Sequence, residues 1–395
     1  MSISQVFRCD SASITFNSNV DSSDVPKVND GETRLSLQAA THHLAALDDV
    51  VIIPTETVYG LAANALSPTA VSKIFTTKGR PQDNPLIVHI SSLPMLYSIL
   101  PKTYTLSETY QTLIKSFWPG ALTLLFPAEP SVIPRGVTAG HSTVAVRMPA
   151  HPVARALIAL SGKPLAAPSA NSSGKPSPTK VEHVMRDLGA SGKVKVVLDG
   201  GACDIGLEST VVDGLGEDGN IRVLRPGGVT VEDMEKALVD AKEKEGWKVL
   251  PKILVHKRDY QDAEVESAPT TPGMKYRHYA PSVPVILLVR SEKQASSTFP
   301  ETLDRIKSRF PGSKIGLLAP SNSSLLAHLP PNILSFPLGS QEDSATSAAR
   351  LFDGLLTLEK EGVCAILIEE ISEEREGLAF MNRARKAAGE TIIIS

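Results

Sequence analysis

Lys78-Gly79-Arg80-Pro81-Gln82-Asp83-Asn84-Pro85-Leu86, running straight into Ile87-Val88-His89-Ile90, is the stretch on which the fold turns. Gly79 lets the chain bend, two cations flank it, and the loop returns into a short apolar run. A second apolar run, Leu165-Ala166-Ala167-Pro168, delivers Ser169-Ala170-Asn171. Polar groups therefore stand at the ends of two predicted strands, where α/β folds build their sites. Fixed cations, hydroxyls and amides without an evident nucleophile suit a multiply charged anion such as a nucleoside triphosphate.

Working outward, residues 50–53 (Val-Val-Ile-Ile) form a continuous apolar run, the signature of a strand buried on both faces. Ser67-Pro68 opens a helix with a capping hydroxyl and a proline at the first helical position, and Gly79 closes it. Further strands are predicted at 86–90, 122–126, 143–148, 165–167, 194–198, 210–212 and 221–224. Helices are predicted at 35–47, 106–116, 152–160, 179–188 and 230–245. From residue 283, strands at 285–289, 314–318, 333–336, 365–368 and 391–394 alternate with helices at 301–309, 346–360 and 380–388. That alternation argues for a small doubly wound α/β domain with a parallel sheet. It lacks the glycine fingerprint of dinucleotide binding. The expected organisation is a polar arm over 1–34 with a short strand near 13–16, a first α/β domain over 35–235, a linker over 236–282 and a second domain over 283–395.

The chain has 395 residues, 42% hydrophobic and 21% charged, which fits a globular protein of two or three domains. A formal net charge of −3 gives no global attraction for nucleic acid. Cys9, Cys203 and Cys364 are far apart in sequence, so zinc knuckles and paired redox thiols are excluded and a reducing compartment is expected. No apolar run approaches the ~20 residues that span a bilayer, and the N-terminus has neither a secretory nor a transit-peptide pattern. Cytoplasmic location without a membrane is the expectation.

The individual motifs each admit an ordinary reading. Lys78 and Arg80 can complement a helix dipole. Ser169 lacks the strained elbow of a nucleophile, and Ser and Asn commonly cap turns. The hydroxyl-rich Ser172, Ser173, Gly174, Lys175, Ser177 and Thr179 suggest a phosphate cradle but lack the Walker spacing. His89 in an apolar run is more often a core histidine. Thr143 and Arg147 share one strand face with Ala145 between them.

Taken together these segments closely resemble the threonylcarbamoyl-AMP synthase family, whose catalytic unit is the YrdC-like domain. The resemblance is carried by Pro54-Thr55-Glu56-Thr57-Val58-Tyr59-Gly60-Leu61, Lys78 and Arg80, Asn84-Pro85-Leu86, Trp118-Pro119-Gly120, Val146-Arg147-Met148-Pro149, Ala167 to Gly174, Glu208 to Asp213 and Leu224-Arg225-Pro226-Gly227. Pro272-Gly273-Met274-Lys275-Tyr276-Arg277-His278-Tyr279-Ala280-Pro281 matches the linker of the long, two-domain form. The resemblance implies a YrdC-like twisted mixed sheet with flanking helices, followed by a Rossmann-like C-terminal domain.

It further implies that L-threonine, bicarbonate (or carbon dioxide) and ATP give threonylcarbamoyl-AMP and pyrophosphate, the product passing to a tRNA threonylcarbamoyl transferase complex for modification of position 37. Catalysis is expected from Lys78, Arg80, Ser169 and Asn171. Thr57, His89, Arg147, Ala167 and Ser209 are expected on L-threonine. Arg80, Asn84, Thr143, Ser169, Ser177, Arg225 and Tyr279 are expected on ATP. Magnesium would be held mainly by ATP phosphates, with no protein metal site. Lys275, Tyr276, Arg277, His278 and Tyr279 are the expected lid over a labile product. One rival is an RNA-binding module without adenylate-forming activity, and a weak tRNA contact fits either reading. A hydrogenase-maturation carbamoyltransferase would need zinc-finger cysteines and an acylphosphatase-like segment, and the chain has neither.

Overall fold

The structure is a computed structural model and describes residues 4–16, 20–22, 25–262, 270, 278–291, 294–327 and 329–395. Packing divides the chain into two units. The first comprises Met1–Ser173, Pro178–Asp204 and Glu208–Lys275; the second comprises Gly174–Ser177, Ile205–Leu207 and Tyr276–Ser395.

An eleven-stranded mixed sheet forms the first unit. From one edge to the other its strands are Gln5–Arg8, Val196–Asp199, Val51–Ile53, Gly60–Asn64, Leu165–Ala166, Ile87–His89, Thr143–Arg147, Leu122–Pro127, Thr210–Asp213, Ile221–Arg225 and Ile253–Val255. Val51, Ile52 and Ile53 are fully buried, as their unbroken apolar run predicts. Helices Gly31–Ala45 and Pro152–Ser161 pack on one another and, through Leu37, Leu44, Val153 and Leu157, on this part of the sheet. Each such buried aliphatic side chain contributes about 1.5–3 kcal/mol.

The cap signals fall where the sequence puts them. Ser67 Oγ accepts from the Ala70 N–H, helix Pro68–Lys78 begins on its proline, and Gly79 ends it with φ +62°. Only a residue at ease in the left-handed region lets the chain leave there. The 179–188 helix is shorter than expected. Val181–Val184 is α-helical, and Met185–Gly189 widens into a π-type turn that carries Asp187 toward Ser172.

Residues 5–8, expected within a polar arm, are instead the edge strand of the large sheet, paired in parallel with Val196–Asp199. Ile253–Val255, expected in the linker, pairs in parallel with Ile221–Arg225. Both segments gain ladder hydrogen bonds from strands distant in sequence, which local patterning does not reveal.

The second unit holds a five-stranded parallel sheet in the order Ile333–Pro337, Ile315–Ala319, Ile366–Glu369, Val285–Arg290, Glu390–Ile394. Helices Phe299–Arg309, Ser344–Lys360 and Glu376–Ala387 connect its strands. Thr298 and Glu301 close a reciprocal capping box at the first of them.

Candidate active site

The central strands of the first unit set a row of polar side chains into an otherwise apolar sheet. His89 stands opposite Arg147 in one ladder, and Arg147 stands opposite Thr123 in the next. Residues in register share a face, so three polar groups line up across neighbouring strands. Thr123 Oγ1 is 2.7 Å from Ser209 Oγ. Arg225 extends the row by donating to the Ser209 carbonyl from Nη2 (2.9 Å) and Nε (3.2 Å). Gly227 allows that approach, because a Cβ there would run into the Glu208–Thr210 backbone.

Arg147 is held from three sides. Its Nε donates to the Gly120 carbonyl at 3.0 Å, Nη1 to Thr57 Oγ1 at 2.8 Å and Nη2 to Glu56 Oε1 at 2.5 Å. A guanidinium has five N–H groups, so two remain to donate elsewhere. Thr57 is itself fixed by a 2.9 Å hydrogen bond with Thr55 Oγ1, which also donates to the Val58 carbonyl. Burial, the largest single influence, opposes ionisation of Glu56, but the Arg147 charge and hydrogen bond together with backbone N–H donors hold the carboxyl below its usual range. Burial, reinforced by the nearby Arg147 charge, pulls His89 down to about 3, so the imidazole is neutral at physiological pH. Its Nδ1 lies 3.2 Å from the Ile87 carbonyl. His89 is thus both a core histidine and a member of the polar row.

Lys78 and Ser169 to Asn171 meet. Lys78 is buried, and its Nζ donates to the Ser169 carbonyl and, at 2.5 Å, to the Asn171 carbonyl. This geometry decides against a lysine that merely faces water at a helix end. Desolvation, with Arg80 close by, holds Lys78 well below the usual lysine range. Arg80 is braced by the carbonyls of Asn84 (3.2 Å) and Pro85 (2.9 Å). The loop bearing Ser169 is pinned to the Thr57 segment by Ala170 N–H to Tyr59 O (2.7 Å) and Leu61 N–H to Pro168 O (2.8 Å). Ala167, just past strand Leu165–Ala166, donates its N–H to the Ile87 carbonyl at 3.0 Å. Thr143 begins the Arg147 strand, and its Oγ1 makes no hydrogen bond among the described residues.

Ser177 and Tyr279 belong to the second unit. Of the expected lid, Lys275, Tyr276 and Arg277 lie outside the described residues, while His278 and Tyr279 stack tilted, with ring centroids 5.7 Å apart. Three contributors were not singled out from the sequence. Glu56 lies inside the Thr55–Thr57 segment. Thr123 interrupts a strand that is otherwise apolar. Asp187 takes both the N–H (2.7 Å) and the hydroxyl (2.6 Å) of Ser172. A hydroxyl inside the apolar run at Thr123 is the one signal of the three available in sequence.

Chemically, the row offers a neutral ring, hydroxyls and a braced fork that match a carboxylate with neighbouring polar groups. Lys78 and Arg80 offer positive charge in a desolvated setting, where it acts most strongly.

Residues 45–227 match the family model described as telomere recombination, and residues 229–389 the one described as threonylcarbamoyl-AMP synthase, C-terminal domain. A threonylcarbamoyl-AMP synthase from Schizosaccharomyces pombe is 41% identical over 381 residues, covering 90% of this chain and 89% of that protein. The chain belongs to the threonylcarbamoyl-AMP synthase family. The relative from Pyrococcus abyssi is 44% identical over 345 residues, covering 87% of this chain and 92% of that one. The Bacillus subtilis relative is 40% identical over 348 residues, covering 88% and 91%. The crystal structure of P. abyssi Sua5 complexed with L-threonine shares 36% identity with a TM-score of 0.77, covering 99% of this chain and all of that one. The family and fold implied by the sequence resemblance therefore hold, as does the reading of the chain as an enzyme of this family. Among the described residues no helix is long and apolar enough to cross a membrane.

Proposed function

We propose that this chain joins L-threonine, bicarbonate-derived carbon dioxide and ATP into threonylcarbamoyl-AMP, releasing pyrophosphate. The observation that carries the proposal is the pair of arrangements in the first unit: the Arg147 row, suited to an amino-acid carboxylate, and buried Lys78 beside Arg80, suited to phosphates.

The threonine amine adds to carbon dioxide and loses a proton, giving a carbamate. A carbamate oxygen then forms a bond to the α-phosphorus as the bond to the bridging oxygen breaks, and pyrophosphate carries away the electron pair. In this reading Arg147 and Thr57 hold the threonine carboxylate, with His89, Ser209 and the Ala167 carbonyl completing its surroundings. Lys78 and Arg80 neutralise charge growing on the transferred and departing oxygens. Each such charge-assisted hydrogen bond contributes about 1.5–3 kcal/mol. Ser169 and Asn171 orient phosphate and carbamate oxygens. Asn84, Thr143 and Arg225 are assigned to the nucleotide. Positioning and charge neutralisation suffice for this step, without a covalent protein intermediate.

Among the described residues no three His, Cys, Asp or Glu side chains cluster to hold a metal. In this reading magnesium arrives on the ATP phosphates, whose charge it would neutralise when bound. A cytoplasmic setting and delivery of the adenylate to a tRNA-modifying transferase complete the reading.

The test supplies threonine, bicarbonate and α-labelled ATP to the full chain. Labelled threonylcarbamoyl-AMP is expected, and omission of threonine or bicarbonate abolishes it. No adduct with all three present overturns the proposal.

A further inference from the structure

The loop that carries Ser169 and Asn171 continues into Ser172 and Ser173, and its hold on the rest of the first unit comes from two side chains. Lys78 is one: its Nζ donates to the Ser169 and Asn171 carbonyls, and its own carbonyl accepts the Ser173 N–H at 3.0 Å. Asp187 is the other. Both donors of Ser172 go to this one carboxylate, the N–H to Oδ2 at 2.7 Å and the hydroxyl to Oδ1 at 2.6 Å. Bonds to an ionised acceptor are shorter and stronger than neutral ones. The Ser172 carbonyl in turn accepts from Asn171 Nδ2 at 2.9 Å. Ser172 is therefore the bracket on which the Asn171 amide rests, and Asp187 holds the bracket.

The backbone is shaped to bring the carboxylate there. Val181–Val184 is α-helical, but Met185–Gly189 opens into a π-type turn. A wider turn rotates less per residue, so Asp187 faces a direction that a continued α-helix would not give it. Such turns are rare and occur mostly singly, frequently at functional sites. Asp187 also acts on Lys78 itself. Burial is the main influence on that lysine and lowers it, Arg80 lowers it further, and the charges of Asp187 and Glu208 oppose both.

We infer that Asp187 is a positioning residue for adenylate formation: by holding both donors of Ser172 it sets the Asn171 amide and keeps the Ser169–Asn171 loop seated on Lys78. The inference rests on the roles given to Lys78, Ser169 and Asn171 under the proposed function. Asp187 acts through Ser172 and is not itself a catalytic residue. The requirement is geometric, because a misplacement of about 1 Å costs up to a hundredfold in rate. The threonine end of the site has other supports. Arg147 is braced by Gly120, Thr57 and Glu56, so threonine affinity should not follow Asp187.

The test compares the full chain with Asp187→Ala, Asp187→Asn and Ser172→Ala, measuring kcat for adenylate formation, L-threonine affinity without nucleotide, and thermal unfolding. Asp187→Ala is expected to lower kcat by about tenfold or more, with threonine affinity within about twofold of wild type. Asp187→Asn keeps one acceptor oxygen for Ser172 and should fall between the two. Once Asp187 is alanine, deleting the Ser172 hydroxyl should cost little more, so a double-mutant cycle of Asp187→Ala with Ser172→Ala should be strongly non-additive in kcat. Wild-type kcat in a folded Asp187→Ala protein, equal loss of kcat and threonine affinity, or additivity in the cycle would each overturn the inference. Should Asp187→Ala fail to fold, Asp187→Asn and Ser172→Ala carry the same comparison of kcat against threonine affinity. A wild-type chain that forms no adenylate counts against the proposed function instead, and that experiment is separate.

Discussion

Arg147 Nη2 lies 2.5 Å from Glu56 Oε1 with the two side chains only 4% and 9% exposed. Taking both charges out of water is expensive, so the pair is better evidence of placement than of stability. Removing one member leaves the other stranded. Glu56→Gln, which keeps the shape and deletes the charge, is expected to destabilise the fold by about 3–5 kcal/mol in urea unfolding. A change below about 1 kcal/mol would mean that Arg147 has another anion to lean on.

Acid sensitivity should follow His89. Its folded-state value is about 3 against an ordinary 6.5. Between those values the unfolded chain binds a proton that the folded chain refuses, so stability rises with pH across that window and is lost on acidification. The depressed Glu56 carboxyl adds a loss in the same direction below its ordinary 4.5. Comparing wild type with His89→Gln above that point isolates the histidine. The variant's unfolding midpoint should vary less with pH there, and parallel profiles would refute the assignment.

Lys78 should take up a proton when nucleotide binds. Burial holds its free-state value well below the lysine norm, and a polyanion reverses the effect. Calorimetry of a non-hydrolysable ATP analogue at about pH 9, in buffers of different ionisation enthalpy, should detect uptake that Lys78→Met abolishes. Equal uptake in both proteins would place the titrating group elsewhere.

Arg80→Ala should leave the fold intact, since its partners are the loop carbonyls of Asn84 and Pro85. Adenylate formation should fall by at least about tenfold, the equivalent of one charge-assisted hydrogen bond. Near-normal turnover would remove Arg80 from the proposed chemistry.

Gly227→Ala tests the Ser209 end of the row. The added methyl would meet the Glu208–Thr210 backbone, so Ser209 must shift at a cost of about 1–3 kcal/mol. Weaker L-threonine binding is the expected calorimetric result, and unaltered affinity would show that Ser209 does not hold the amino acid.

Much of this arrangement was legible in the sequence because it is local. The Ser67-Pro68 and Gly79 signals bound their helix as expected, and the apolar runs at 50–53 and 285–289 became buried strands. What escaped is non-local or intrinsically weak. Gly60–Asn64 reads Gly-Leu-Ala-Ala-Asn, poor strand formers, yet it is sheet because Val51–Ile53 and Leu165–Ala166 pair with it on both sides. Glu56 was overlooked because its partner is 91 residues away. For Lys78 the sequence leaves a dipole-complementing role open beside the catalytic one, and its contact with the carbonyls of Ser169 and Asn171, 91 and 93 residues away, is not local enough to read there.

The parallel pairing of Gln5–Arg8 with Val196–Asp199 has a practical corollary. A truncation that starts the protein at the helix beginning with Gly31 would strip Val196–Asp199 of its neighbour and expose a row of open amides and carbonyls. Such a margin invites other polypeptides to add to it. A shortened version lacking its first residues should therefore aggregate more readily than the full-length chain, even with its chemistry untouched.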